Sequence, residues 1–243
     1  MFENIDALKT KLDQHRPLSP AIVKNLQDDL IVRWTYHSNA IEGNTLTLLE
    51  TKVVLEGITV GGKALREHFE AINHRNAIYY VEDIIIKEEP FSEWQIRNIH
   101  QLILKNIDDD NAGHYRQQNV LISGATSTPP DYTLLNDRMA QLVDWYSNDA
   151  HKFHPIERAA KVHADFVGIH PFIDGNGRTS RLLMNLELLK AGYPPCVITV
   201  ENRLAYYEAL DQWMAYGKTE AFIQLVSEAV LEGFKPYQVV LGI

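Results

Sequence analysis

The chain has 243 residues, of which 45% are hydrophobic and 23% charged, with a formal net charge of −9. That length can fill one substantial core and that balance excludes a disordered chain, while the acidic excess excludes electrostatic capture of nucleic acid as the main activity. Cys196 is the only cysteine, which excludes an intramolecular disulfide and a bridge-stabilised secreted scaffold. The start of the chain is charged throughout and nowhere do 18 apolar residues run together, so the expectation is a cytoplasmic protein that does not enter a membrane.

Apolar residues recur at helical spacing, as in Ile96, Ile99, Leu102 and Ile103, or Met139, Leu142, Val143 and Tyr146. The pattern predicts helices at 3–14, 20–36, 47–57, 64–87, 92–106, 133–148, 155–169, 176–191, 203–215 and 219–234. The fold class is therefore expected to be all-α, a helical bundle. Between the fifth and sixth helices, Gln118 to Ser123 is the best short strand candidate, ending at the turn-forming Gly124. The loop Gly124 to Pro130 reads as a flap rather than a domain linker. A lone hairpin there is either a packing arm or a surface edge that pairs with an extended peptide.

Past the second helix, Ser38-Asn39-Ala40-Ile41-Glu42-Gly43-Asn44 reads as one or two helical turns stopped at Gly43. A glutamate in a last turn opposes the helix dipole, and a local conflict of this kind can mark function.

The strongest signal is His170 to Arg181, HPFIDGNGRTSR, followed at once by an amphipathic stretch closed by Gly192. Gly175, Asn176 and Gly177 can take backbone angles that ordinary residues avoid, just before the helix begins. Such a turn aims amide groups and the positive end of a helix dipole at one spot, which makes an anion cradle. Arg178 and Arg181, three residues apart, project from nearly one face, and two guanidinium forks suit a polyphosphate. Asp174 supplies a hard oxygen for Mg²⁺ and His170 a base of near-neutral pKa for an attacking hydroxyl. The loop is not a Walker A sequence, which needs Lys-Ser/Thr after its last glycine, nor a dinucleotide fingerprint, which follows a strand.

His170-Pro171-Phe172-Ile173-Asp174-Gly175-Asn176-Gly177-Arg178, with Arg181 beyond, resembles the signature of the Fic (Fido-fold) family at every defining position. The resemblance spans roughly residues 30 to 230. It implies a single domain over 1–243, with N-terminal helices over about 1–60 and a catalytic core over about 64–235, and a short β-hairpin flap beside the active site. It implies a protein adenylyltransferase that moves AMP from ATP to a Ser, Thr or Tyr hydroxyl of a protein, the intact GNGR favouring AMP over other groups. His170 is then the base, Asp174 the Mg²⁺ ligand, Gly175 to Gly177 the phosphate cradle and Arg178 the aid to the β/γ-phosphates. Phe172 by the same analogy faces the core and anchors the loop.

Gly113-His114-Tyr115-Arg116 and the residues after it look like the family's flap, whose edge, Val120, Leu121, Ile122 and Ser123, docks the target. Asn202 and Tyr206-Tyr207 lie where relatives close a helix over adenine; the two tyrosines project about 100° apart, and Tyr207 is taken to face the base. The segment 38–44 resembles the family's inhibitory motif, and a bidentate pair between Glu42 and Arg181 would remove the charge that orients the γ-phosphate. In some relatives the same glutamate positions water for the reverse removal of AMP. The alternative reading is a non-catalytic nucleotide-binding module acting through partner contacts. A homodimer would be a natural way to regulate an inhibitory helix. The histidines His151, His154, His163 and His170 lack the companions of a zinc site, His163 being read as a core or supporting residue. Asp108 to Asp110 reads as a solvated turn.

Overall fold

The structure, a computed structural model, describes residues 2–242. It is all helical over those residues, and each of the ten predicted helices is present: α1 (Glu3–Asp13), α2 (Pro20–Ile41), α3 (Leu48–Leu55), α4 (Leu65–Ile86), α5 (Glu93–Leu104), α6 (Leu135–Asn148), α7 (Pro155–Ile169), α8 (Asn176–Lys190), α9 (Arg203–Tyr216) and α10 (Glu220–Leu241). Their starts follow local chemistry. Ser19 caps α2 ahead of Pro20, Thr47 and Glu50 form a capping box on α3, and His154 caps α7 ahead of Pro155.

The centre of the bundle is the antiparallel pair α7 and α8. Arg178 to Leu188 are all buried, so α8 has no solvent face. Its polar residues are tolerated because each of several finds a partner: Asn185 brackets the backbone of Cys196, and Glu187 accepts from Tyr146 and Arg158. One apolar cluster joins this pair to α1, α9 and α10 through Leu12, Met184, Tyr206, Phe222 and Val230. A second joins it to α4, α5 and α6 through Val81, Ile96, Met139, Phe166 and Phe172. At roughly 1.5–3 kcal/mol for each large apolar side chain fully buried, both clusters fix the loop between α7 and α8, where the sequence motif lies.

Three expectations need correction. The helix expected to end at 36 and the separate turn at 38–44 are one element, because α2 runs on to Ile41 and ends at Glu42 and Gly43. Asn39 donates to the carbonyls of Thr35 and Glu70 and ties α2 to α4. The last helix continues past 234 through Pro236 to Leu241.

The β-hairpin is not formed: Gln118 to Ser123 makes no strand, and none exists among the described residues. The return limb explains this, since Pro129 and Pro130 have no N–H to give a ladder. Side chains hold the base of the flap instead. Asn119 donates to Asp131 Oδ2 (2.8 Å) and accepts from the Tyr132 amide (2.9 Å), while Arg116 donates to the carbonyls of Gln118 and Pro130.

Candidate active site

The loop from α7 to α8 is set by two left-handed residues. His170, at the end of α7, has φ 49°, and Gly175, at the start of α8, has φ 76°. Phe172 is fully buried, as expected, and stacks on His100 of α5 with centroids 3.5 Å apart and planes 1° apart. The Asn176 side chain closes the loop from inside, accepting from the Phe172 amide (3.0 Å) and donating to its carbonyl (2.8 Å).

Of the Gly-Asn-Gly triplet only Gly175 uses a special backbone angle; Asn176 and Gly177 are already the first residues of α8. Gly177 lets the Glu42 carboxylate come close, because a Cβ there would overlap Glu42 Oε1 and displace that side chain. The first amides of α8 have no intrahelical acceptors and, with the helix dipole, form the anion-attracting end anticipated from the sequence.

Neither arginine is solvated; each is 2% exposed. They diverge. Arg178 lies 3.3 Å from both Asp174 Oδ1 and Glu70 Oε1. Arg66 of α4 reaches the same acids, at 2.6 Å from Asp174 Oδ2 and 3.1 Å from Glu70 Oε1. Burial pushes the Asp174 carboxyl up, but Arg178, the Gly175 amide at 2.6 Å and Arg66 outweigh it and hold Asp174 below the usual aspartate range. Asp174 is thus ionised and partly exposed, as a hard oxygen ligand for Mg²⁺ must be.

Arg181 turns toward α2. Its Nε donates to Ser38 Oγ (3.0 Å), its Nη2 to the Ser38 carbonyl (2.8 Å) and to Glu42 Oε1 (2.7 Å), and its Nη1 to the Tyr206 hydroxyl (3.3 Å). The expected pairing of Glu42 with Arg181 is present but is one-pronged, not bidentate, because Ser38 and Tyr206 occupy the rest of the fork. The Tyr206 hydroxyl lies 3.0 Å from His163 Nε2. Since Arg181 donates to that oxygen, the tyrosine proton goes to His163. Burial, reinforced by Arg181, pushes His163 down to about 3, so the ring is neutral and able to accept it.

His170 is largely buried. Burial lowers its pKa below the ordinary imidazole value, with Arg116 adding to the effect and the Val167 carbonyl, Glu42 and Asp174 opposing it. Its Nδ1 is buried without a partner in good hydrogen-bonding geometry, which leaves Nε2 as the nitrogen open to a substrate. Arg116 of the flap root fixes this residue from behind, donating to the His170 carbonyl at 2.9 Å, while the Arg116 amide donates to Pro171 O. The flap residues Val120, Leu121, Ile122 and Ser123 follow, and Leu121 is 85% exposed.

On the other side, Tyr207 of α9 is 40% exposed and donates to the Ile41 carbonyl (3.2 Å), beside the end of the helix that carries Glu42. A cavity of about 1530 Å³ lies away from this loop, between α2, α9 and α10, and includes none of the motif residues.

The sequence reading placed His170, Asp174, Gly175, Asn176, Gly177, Arg178 and Arg181 in one window, and α2 brings Ser38 and Glu42 to it. It missed Arg66, Glu70, His100 and Arg116 as parts of the site, and Tyr206 as the partner of Arg181. Arg66 and Glu70 come together from α4 and the others from elements distant from the motif; only the GHYR stretch at 113–116 carries a local signal, and it reads as flap alone.

Residues 90–188 match the Fic/DOC family. The chain is 39% identical over 230 residues to a protein adenylyltransferase Fic of Nematostella vectensis, covering 93% of this chain and 53% of that protein. It is 40% identical over 214 residues to the protein adenylyltransferase fic-1 of Caenorhabditis briggsae, covering 86% and 41%. The chain thus spans about half the length of the curated relatives it matches. Among solved structures, a Fic domain containing signaling protein from Bacteroides thetaiotaomicron superposes with a TM-score of 0.91 at 30% identity, covering 98% of each chain. Fic-1 of Caenorhabditis elegans superposes with a TM-score of 0.89 at 31% identity, covering 99% of this chain and 72% of that one. Taken with the loop geometry, these likenesses over nearly the whole length show that the chain belongs to the Fic family.

Proposed function

We propose that the protein is an adenylyltransferase that moves AMP from ATP to a Ser, Thr or Tyr hydroxyl of a protein, held low by its own Glu42. The observation that carries this reading is the convergence on one buried helix start of a neutral base, an ionised aspartate and two guanidinium groups. His170 Nε2 takes the proton of the target hydroxyl as its oxygen bonds to the α-phosphorus and the bond to the pyrophosphate leaving group breaks. The first amides of α8 and Arg178 bind phosphate oxygens and hold the α-phosphorus in line with the attacking oxygen. Asp174 is the residue that would hold Mg²⁺, whose charge offsets that of the phosphates. Tyr207 faces the adenine, and the edge Val120 to Ser123 docks the target segment beside His170.

Glu42 supports autoinhibition by position. Its carboxylate abuts Gly177 and takes a hydrogen bond from Arg181, so it occupies the anion-attracting end of α8 where a terminal phosphate would compete with it. A γ-phosphate displaced by about 1 Å misaligns the α-phosphorus and costs roughly a hundredfold in rate. The same carboxylate, one-third exposed at the cradle, also supports the reverse reaction, in which it orients water to release AMP from a modified protein.

The test is transfer from α-labelled ATP with Mg²⁺ onto the protein itself. Glu42→Gly is expected to raise label about a hundredfold over wild type, and Glu42→Gly with His170→Ala to abolish it. Folded variants that bind ATP yet never label would favour a nucleotide-binding module that acts through partner contacts.

A further inference from the structure

We propose that His100 is a positioning residue of the transfer reaction, holding the Asp174–Gly175 turn in register with the flap root and hence with His170; this rests on the function proposed above. His100 lies on α5, fully buried, far in sequence from the motif. One ring makes four contacts, three to the catalytic loop and one to the turn before the flap. Its face stacks on Phe172. Its Nδ1 accepts from the Gly113 amide at 2.9 Å. That bond fixes the tautomer, so Nε2 carries the proton and donates to the Asp174 carbonyl, also at 2.9 Å. Gly175 presses on the ring edge, where a Cβ would lie 3.2 Å from Nε2.

The two nitrogens thus join two segments that must agree for the chemistry to occur. Asp174 and Gly175 carry the Mg²⁺ carboxylate and open the phosphate cradle. Gly113 begins the turn leading to Arg116, whose guanidinium donates to the His170 carbonyl and to the flap carbonyls of Gln118 and Pro130. A closed circuit results, from His100 through Asp174 and the loop to His170, then through Arg116 and Gly113 back to His100. Breaking it at Nε2 frees the Asp174 peptide to rotate, and the carboxylate that accepts the Gly175 amide moves with it. His170 stays where Arg116 holds it. The base and the metal ligand then lose register, the kind of misplacement that costs rate out of proportion to stability.

Two substitutions separate this role from plain packing. His100→Phe keeps the aromatic stack and loses both hydrogen bonds. His100→Gln loses the stack but places an amide N–H where Nε2 donates to Asp174. In the Glu42→Gly background, His100→Phe is expected to lower self-labelling about a hundredfold and His100→Gln by no more than about tenfold, while thermal unfolding ranks them in the opposite order. Activity that follows stability, with the Phe variant the better enzyme, overturns the proposal. Hydrogen exchange at the Gly175 amide gives a readout that needs no turnover. It is expected to quicken in His100→Phe and not in His100→Gln, and an unchanged rate in both overturns the positioning role even if Glu42→Gly itself transfers nothing. Absence of transfer by Glu42→Gly alone counts against the proposed function.

Discussion

At the residue scale the contact proposed to inhibit is one fork shared among three partners, and this changes what each substitution should do. Glu42 takes a single hydrogen bond from Arg181, while Ser38 holds the same guanidinium through both its hydroxyl and its carbonyl. Ser38→Ala keeps the carbonyl contact and leaves Arg181 Nε buried without a partner. A lost bond to a charged group is worth about 1.5 kcal/mol or more, so self-labelling should rise roughly tenfold, less than on removal of Glu42. Label at the wild-type level in Ser38→Ala would mean that Glu42 and the backbone hold Arg181 without the hydroxyl. Sequence resolved this site unevenly for a physical reason. His170 to Arg181 is contiguous, so base, metal ligand and cradle are read together. Glu70, Arg66 and His100 are single residues on helices whose periodicity only reports a core face, and nothing in one sequence says that Arg178 ends between Asp174 and Glu70.

At the scale of elements, α9 joins two edges of the site. Tyr207 bonds the end of α2, and one turn further on Asp211 accepts the Thr126 amide of the flap loop at 2.7 Å. The side chain of Thr126 and the amides of Thr126 and Ser127 hold the Asp211 carboxyl below its ordinary range. With no β-ladder in the flap, this exposed contact is what fixes the loop beyond its base. Asp211→Ala should therefore quicken hydrogen exchange at Thr126 about fivefold, the effect of a net bond worth roughly 1 kcal/mol, and leave the melting temperature nearly unchanged. No change at Thr126 would place the restraint at Asn119 and Arg116 instead. The helices were legible because each needs a stripe of apolar residues toward the core. The flap was not, because the short apolar run Val120 to Ile122 before the turn-forming Gly124 suggests a strand while Pro129 and Pro130 on the other limb deny it a partner.

At the scale of the whole molecule, burying polar residues along α8 makes stability depend on pH. His163 and His74 are fully buried. Burial pushes His163 down to about 3, with Arg181 adding to it, takes His74 well below its ordinary value, with Arg181 and Arg178 adding to it, and lowers the equally buried His100 to about 4. A histidine near 6.5 when unfolded and far lower when folded binds its proton only in the unfolded chain between those values. Its contribution is therefore complete above about 6.5 and is lost progressively as pH falls toward the folded pKa. Each such group costs about 1.36 kcal/mol per pH unit in that window, so the three together should remove on the order of 6 kcal/mol by pH 5. Carboxyls raised by burial, such as Glu187 and Asp165, act in the opposite sense from their ordinary value near 4 upward and offset part of this loss. The urea midpoint should accordingly fall steeply from pH 6.5 to 5, and His163→Gln should lose about a third of that slope. A midpoint flat across this range would mean that the histidines accept protons in the folded state, and with them that the chain from Glu42 through Arg181 and Tyr206 to His163 tolerates a charge at its inner end.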